Sequence, residues 1–489
     1  CRPRDRRRRV AARHVVSPGT ANSPAALWRA ALPVAIGVVL TFCPVPPGLA
    51  PHAWRYFAVF VAVMVALVTE PFPAGVIGLV GVTLIAGLGL PFSEAQTIAP
   101  TFRLPAESIK WALAGFSNST VWLIFGAFIF AMGYEKTGLG RRIALMLVRR
   151  LGGSTLGLGY AVMLADVVLA PFTPSNSARS GGIVFPVVRA IPPLYGSLPG
   201  ESAGKVGAYL MWTAFAATCV TSSLFLTALA PNLLALEMVK KATGLEVSWV
   251  QWFLGFAPIG LPLLLALPWL VLKIYPPEIR ASAEVPPWAA QELAKIGAVT
   301  RREWTMAVLV VVALGLWIFG GRWIDATLVA LLAISLMVVG RVVTWDEIVA
   351  HTTAWNTFAW FATMLTLADG LNKVGFITWF GQRSATLLAG HSPLLVLVAL
   401  VGFFFVVHYL FASLTAHTIA VLPVVLAAGA AIPGMPVRTL ALLLVFSIGI
   451  MGVLTPYATG PAPVYYGCGY IGRRDFWRLG FIFGLIFLA

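Results

Sequence analysis

The chain has 489 residues, of which 59% are hydrophobic and 11% are charged. Soluble domains carry about 25% charged residues, so this composition excludes a soluble enzyme. Apolar runs of about 20 residues, the length of one membrane crossing, recur from Leu27 to the end of the chain. The alternating pattern of an outer-membrane barrel is absent. The sequence therefore predicts an all-α polytopic membrane protein.

The net charge of +16 is concentrated at the N-terminus, where the first 20 residues hold seven Arg and one Asp. An Arg-rich, acid-poor head is typical of an organellar transit peptide, and we assign residues 1–27 to one. A basic loop that follows the positive-inside rule is the alternative. A nucleic-acid-binding tail does not suit so apolar a chain, and we expect no nucleic-acid partner. Four scattered cysteines give neither a disulfide framework nor a metal site.

Hydropathy predicts eleven membrane helices in chain order. They lie near residues 28–45, 54–70, 72–92, 111–134, 203–232, 249–275, 303–320, 323–341, 354–373, 437–455 and 476–489. Two more apolar stretches, 154–194 and 391–433, are too long for one span, and each has a polar, turn-forming centre. Hydropathy does not decide whether each is two full spans or one re-entrant hairpin.

The two halves of the chain are related, because residues 118–186 align with 356–423 at an offset of about 238. N-S-T-V-W at 118–122 matches N-T-F-A-W, and S-N-S-A-R at 175–179 matches S-L-T-A-H. Five spans and one hairpin per half would invert the second half, which is typical of secondary transporters. The predicted organisation is a first half at 28–275, a connecting loop at 276–302 and an inverted second half at 303–489.

Basic residues in short loops agree with an N-terminus on the cytoplasmic side, in accordance with the positive-inside rule. Lys240 and Lys241 fall on the opposite side and are the main exception. The segment 138–151 carries two Arg pairs about two turns apart, which predicts an amphipathic helix at the interface. A basic loop would satisfy the topology equally well.

Polar residues interrupt the first long apolar stretch, where Ser175, Asn176 and Ser177 follow Asp166 and precede Arg179. At a hairpin tip inside the membrane, free backbone N–H groups and hydroxyls can bind a carboxylate. An exposed turn between two helices is the alternative, because turns favour the same residue types.

The repeat pairs Arg179 with His417, so two potential cations stand at equivalent positions. An arginine can bind one carboxylate through two hydrogen bonds, and a histidine can donate to a second. The pair therefore predicts a site for a small molecule with two carboxylates. An interhelical histidine that binds no ligand is the alternative for His417. Proline-containing breaks at 221–232 and 447–463 form a second polar feature in each half.

These motifs resemble those of the divalent anion/sodium symporter family, in which a Ser-Asn-Thr motif lies at the tip of each of two inverted hairpins. The first motif here reads Ser175-Asn176-Ser177 and the second Ser413-Leu414-Thr415. The similarity covers roughly residues 50–489. The run P-F-T-P-S-N-S-A-R-S-G-G is most similar to the plastid branch, the 2-oxoglutarate/malate translocators of the inner envelope.

The resemblance implies a homodimer in which an elevator-type transport domain carries the site past a fixed scaffold, with 154–194 and 391–433 as re-entrant hairpins. It also implies that the substrate is lined by both motifs together with Ser222, Ser223, Thr459 and Gly460. In the sodium-coupled members both motifs help bind Na⁺, but Leu414 offers no oxygen. Positions 179 and 417 would be Thr there, so fixed cations are expected to take the role of Na⁺. An empty carrier with fixed charge would then cross poorly, which favours exchange.

We therefore expect a multi-pass dicarboxylate antiporter of the plastid inner envelope that exchanges 2-oxoglutarate and malate, with no cofactor. A sodium-coupled di- or tricarboxylate symporter is the alternative, and glutamate, succinate, oxaloacetate and citrate remain open as substrates. An intramembrane enzyme would need a nucleophile and base, which Asp166 or Asp369 alone does not supply. A channel or sodium/proton antiporter would need membrane carboxylates.

Overall fold

The computed structural model describes residues 24–281, 283–388 and 390–489, and this part of the chain is helical throughout, with one isolated β-bridge. Most of the segment assigned to a transit peptide, residues 1–23, lies outside the described residues. The first half contains α1 Pro24–Phe42, α2 Pro51–Thr69, α3 Ala74–Gly87, α4 Glu94–Thr97, α5 Leu104–Ala112, α6 Ser119–Thr137, α7 Leu139–Leu151, α8 Thr155–Leu169, a π-helix Ser177–Val184, α9 Phe185–Ala190, α10 Gly207–Leu224, α11 Ala230–Thr243 and α12 Trp249–Ile274.

The second half repeats this order after a connecting helix. It contains α13 Val285–Ile296, α14 Arg301–Phe319, α15 Ala326–Val339, α16 Trp345–Ala350, α17 Thr352–Lys373, α18 Phe376–Leu388, α19 Pro393–Val407, α20 Leu414–Ala430, α21 Val437–Ile450, α22 Pro461–Gly467 and α23 Arg473–Leu488. Helices α6 to α12 form a series of a long helix, an interfacial-length helix, a hairpin, a broken helix and a final helix. Helices α17 to α23 repeat this series. The polytopic all-α prediction is confirmed.

Each of the eleven predicted spans contains an observed helix, although two of them continue well beyond their predicted ends. The span predicted at 203–232 continues through a break to Thr243, and the span at 437–455 continues to Gly467. Five described helical segments are each long and apolar enough to cross a membrane, namely 51–69, 155–172, 249–274, 301–319 and 393–410. Several others are shorter, and two of these, at 414–430 and 437–453, belong to a hairpin and to a broken helix.

The helices form two units that meet at the centre of the molecule. The hairpin unit contains α8 to α12 and α19 to α23, in which α10 packs against α8, α12 and α21. The wall unit contains α1 to α6 and α14 to α17, in which α6 packs against α15 and α17. Both hairpins turn at the boundary between these units, which places their polar tips inside the molecule.

The predicted amphipathic helix forms as α7, and it is held by a buried ion pair at its first turns. Arg142 donates from Nε to Glu303 at 2.7 Å and from Nη1 to the Gly297 carbonyl at 2.9 Å. Arg141 pairs with Glu292 of α13 at 3.0 Å. Helices α7 and α13 therefore link the two units at the predicted cytoplasmic face.

Candidate functional site

A cavity of about 260 Å³ lies where four interruptions of the helical backbone meet. One side of it is formed by the hairpin unit, through residues 174–177, 229–231, 412–415 and 459–460. The other side is formed by the wall unit, through Phe128 of α6 and Thr357, Trp360 and Phe361 of α17. The cavity thus combines a polar side of motif residues with a largely aromatic side.

Three helical segments begin at this cavity with their N-terminal ends directed to it. The π-helix starts at Ser177, α11 starts at Ala230, and α20 starts at Leu414, and all three residues line the cavity. Neither Asn176 nor Leu229 caps its helix with a side chain, whereas Ser413 accepts a hydrogen bond from the Ala416 amide. Helix N-termini carry partial positive charge and free N–H donors, so the cavity favours an anion.

The first hairpin tip is fastened to the break between α21 and α22. The Asn176 amide donates to the Thr459 hydroxyl at 2.8 Å, and both side chains are buried. One residue further on, a methyl group on Gly460 would overlap the Ser177 hydroxyl, so the absence of a side chain permits the contact. Motif residues from both halves of the repeat therefore form one continuous surface.

Arg179 lies behind the first hairpin tip and is fully buried, instead of lining the cavity. Its Nε donates to Asp166 at 3.1 Å, and its Nη1 donates to the carbonyls of Thr173 and Ala228 at 3.0 and 2.8 Å. Its Nη2 donates to hydroxyls, and the acceptors are Thr218, Thr221 and Ser222. All five donors have partners within the protein, so the expected bidentate bond to a substrate carboxylate does not fit this geometry.

The Asp166 carboxylate compensates the positive charge of Arg179. Its other oxygen accepts a hydrogen bond from the Thr221 hydroxyl. The ion pair is neutral as a unit. Uncompensated charge at Arg179 therefore does not explain why an empty carrier would fail to cross.

His417 occupies the equivalent place behind the second hairpin tip and also stays out of the cavity lining. Its ring stands edge-on to Phe404, Phe411 and His408, with centroids 4.4 to 5.0 Å away. Within the described residues, neither of its ring nitrogens has a hydrogen-bond partner. His408, in contrast, bonds through Nε2 to the Ala458 carbonyl at 2.9 Å and ties the hairpin to the break.

Ser222 and Ser223 are placed inside the helix packing and not at the cavity. The Ser222 hydroxyl donates to the Thr218 carbonyl of its own helix at 2.6 Å. The Ser223 hydroxyl donates to the Phe446 carbonyl at 2.7 Å and accepts from the Ile450 amide at 3.1 Å. Of the twelve predicted site residues, the eight that line the cavity are Ser175, Asn176, Ser177, Ser413, Leu414, Thr415, Thr459 and Gly460.

The sequence did not point to the wall residues that complete the cavity. Thr357 and Trp360 fall in the repeat motif N-T-F-A-W at 356–360, which served only to align the two halves. The sequence predicts a polar, proline-containing break at 221–232, but it does not predict that Pro231 lies at the cavity. The repeat was the available signal, because a segment that is preserved in both halves is a candidate for the shared centre.

The fold and site define a membrane transporter, and comparison with known proteins specifies the family. The model of the sodium:sulfate symporter transmembrane region matches residues 24–489. The chain therefore belongs to this family. A citrate/succinate antiporter of Escherichia coli K12 is 52% identical over 466 residues, which cover 95% of this chain and 96% of that protein. An L-tartrate/succinate antiporter of Shigella sonnei is 50% identical over 465 residues, with 94% and 96% covered.

The fold is also found in a solved structure, the YdaH transporter of Alcanivorax borkumensis. It aligns with a TM-score of 0.58 over 85% of this chain and 96% of that one, at 14% sequence identity. The match supports the helical transporter architecture and carries no information on substrate.

The relatives correct one expectation from the sequence. The predicted plastid branch is not supported, because these relatives at 50–52% identity are bacterial citrate/succinate and tartrate/succinate antiporters. A multi-pass membrane protein is supported, and a plastid location is not.

Proposed function

We propose that this protein is an antiporter that exchanges succinate for another di- or tricarboxylate across the membrane. The convergence of the helical segments that begin at Ser177, Ala230 and Leu414 on one cavity is the observation that carries the proposal. All three N-termini contribute partial positive charge, and the π-helix and α20 also begin with backbone N–H donors, so no side-chain cation is required. The relatives named as citrate/succinate and tartrate/succinate antiporters support exchange and the carboxylate class.

The Arg179 guanidinium replaces a bound cation at the first hairpin. A sodium ion near a hairpin tip would be held by backbone carbonyl oxygens. Here the Arg179 guanidinium donates to the carbonyls of Thr173 and Ala228, which come from the hairpin and from the α10–α11 break. A permanent cation joins these two segments, and Leu414 offers no side-chain oxygen at the second tip. Transport that does not depend on Na⁺ is the consequence.

Exchange follows from the cost of an empty site. Without substrate, free N–H groups and the exposed Ser177 hydroxyl would lose water when the hairpin unit moves past the aromatic wall. An unpaired buried donor or acceptor costs about 1–3 kcal/mol, and several are present. A bound carboxylate pairs them, so the loaded unit crosses more easily than the empty one.

The elevator-type movement and the homodimer are part of the proposal. The cavity lies between the hairpin unit and the wall unit, and a shift of the first along the second would expose it to either side of the membrane. The wall unit, whose helices α14 and α15 present many exposed apolar side chains, is the part expected to contact a second copy.

Uptake of labelled succinate into liposomes that contain the purified protein tests this function. The liposomes are loaded with citrate, L-tartrate, malate or 2-oxoglutarate, or left empty, with Na⁺ or K⁺ outside. We expect uptake that requires an internal carboxylate and is equal in both salts. The uptake rates with the different internal carboxylates then rank these as exchange partners of succinate. Uptake into empty liposomes driven by a Na⁺ gradient would establish the symporter in place of the antiporter.

A further inference from the structure

A cluster of polar and charged side chains joins the two units far from the cavity, and the function proposed above makes no use of it. It lies in the C-terminal half of α11, where Glu237 and Lys241 are about 10 and about 16 Å along the helix axis from Ala230 at the rise of 1.5 Å per residue. It contains Glu237 and Lys241 of α11, Asn118 and Thr120 at the start of α6, and Asp369 of α17.

Glu237 is the centre of this cluster, with its side chain 14% exposed. One carboxylate oxygen accepts from the Asn118 amide at 2.9 Å, and the other accepts from the Thr120 hydroxyl at 3.2 Å. The Asn118 side-chain oxygen meanwhile caps α6 by accepting from the Thr120 and Val121 amides. Asn118 is thus fixed on α6 while its amide group reaches across to α11.

Lys241 lies one helical turn from Glu237 and extends the cluster to a third helix. Its ammonium is 3.8 Å from the Glu237 carboxylate and donates to the Asp369 carboxylate. The side chains of Lys241 and Asp369 are 29% and 39% exposed. The second lysine, Lys240, pairs at 2.7 Å with Glu246, just beyond α11. Lys240 and Lys241, the two exceptions to the positive-inside rule, therefore both have carboxylate partners.

The helices of this cluster belong to different units. The α11 helix is tied to the hairpin unit, since the Ala230 amide donates to the Pro174 carbonyl at 2.8 Å and Asn232 donates to the Ser222 carbonyl at 2.7 Å. The start of α6 is tied to the wall unit, since Thr327 of α15 donates to the Ser119 carbonyl at 3.0 Å.

We propose that Glu237 and Lys241, with Asn118, Thr120 and Asp369, form an interdomain lock that stabilises the conformation described here and opens in each transport cycle. The inference rests on the proposed movement of the hairpin unit past the wall unit. A shift of one helical turn, about 5.4 Å, exceeds hydrogen-bond range, so the contacts of the lock that join α11 to α6 and α17 would break together. The lock sets the population of this conformation without touching the substrate.

The first test measures conformation and does not depend on the identity of the substrate. Ala412 lines the cavity, and the variant Ala412→Cys is labelled with a membrane-impermeant maleimide from each side of the membrane in turn. Adding Lys241→Met or Glu237→Ala is expected to change the ratio of the two labelling rates by about three- to fivefold, the effect of one partly exposed polar pair. Lys240→Met is the matched control and is expected to leave the ratio unchanged. An unchanged ratio in the Lys241 and Glu237 variants would overturn the lock.

The second test prevents the lock from opening. The pair Lys241→Cys and Asp369→Cys, bridged by Hg²⁺ in reconstituted protein, is expected to lower succinate exchange at least about tenfold, with recovery on addition of a thiol. Lys240→Cys with Glu246→Cys, a pair within one unit, should bridge without loss. Full exchange in the bridged Lys241–Asp369 variant would refute the lock. Failure of the unmodified chain to exchange carboxylates would instead refute the proposed function, and the labelling ratio would still decide the lock.

Discussion

Gly460 and Ser177 lie against each other on one side of the cavity, so closely that a methyl group at position 460 would overlap the serine hydroxyl. The two residues come from opposite halves of the repeat, and both are exposed to the cavity. Their contact places the first hairpin tip against the start of α22. The absence of a side chain at position 460 thus permits the contact between the first hairpin tip and the break in the second half.

Gly460→Ala should therefore impair exchange by displacing the first hairpin tip. Overpacking costs about 1–3 kcal/mol, and if this cost falls fully on the transport step the exchange rate falls about five- to 150-fold. Gly467→Ala in the same helix is the matched control, because nothing lies within 4 Å of its added methyl group. Equal exchange rates in the two variants, measured in liposomes at matched protein density, would contradict the close contact.

Asn176 and Thr459 should behave as one interacting pair. Thr459→Val and Asn176→Ala each remove the 2.8 Å hydrogen bond that fixes the tip, and each should raise the apparent KM for succinate about fivefold, from a bond of about 1 kcal/mol. The double variant should be little worse than either single one. Thr213→Val, which removes an intrahelical hydroxyl bond to Tyr209, is the control. Additive effects would show that the two side chains act independently.

The Asp166–Arg179 pair should control the stability of the hairpin unit. Asp166→Asn leaves a buried guanidinium without its counter-charge, at a cost of about 3–5 kcal/mol, and should lower the thermal transition of the detergent-solubilised protein. Combining Asp166→Leu with Arg179→Met should be less destabilising than the sum of the two single changes. A normal transition temperature and normal exchange in Arg179→Ala would disprove both the pairing and the cation-replacing role.

Substitutions at Ser177 and Ser223 should have different effects, because Ser177 faces the cavity and Ser223 lies within the helix packing. Ser177→Ala removes a hydroxyl exposed to the cavity and should raise the KM with little change in thermal stability. Ser223→Ala removes the hydroxyl that bonds to both the Phe446 carbonyl and the Ile450 amide, so it should lower stability by about 1–3 kcal/mol while the KM stays near normal. The two variants are measured side by side by succinate uptake and thermal unfolding. A raised KM in Ser223→Ala alone would restore that serine to the substrate site.

The sequence by itself determined the helical architecture, because few backbone structures satisfy their polar groups inside a membrane. Long apolar runs had to become helices, and the polar centre at Ser175 predicted a turn, which hydropathy alone did not place inside or outside the membrane. The offset of about 238 residues then predicted the inverted repeat and brought the two hairpin motifs together. Eight of the twelve predicted site residues line the cavity for this reason.

The tertiary structure alone decided the direction in which each side chain points. Arg179 is two residues from Ser177, yet the turn of the helix directs one to the cavity and the other to Asp166. Thr357 and Trp360 reach the site only because α17 packs opposite the hairpin tips. Ser223 bonds to α21, more than 220 residues away along the chain. Such choices depend on the packing of helices that are distant in sequence, and a local motif does not encode that packing.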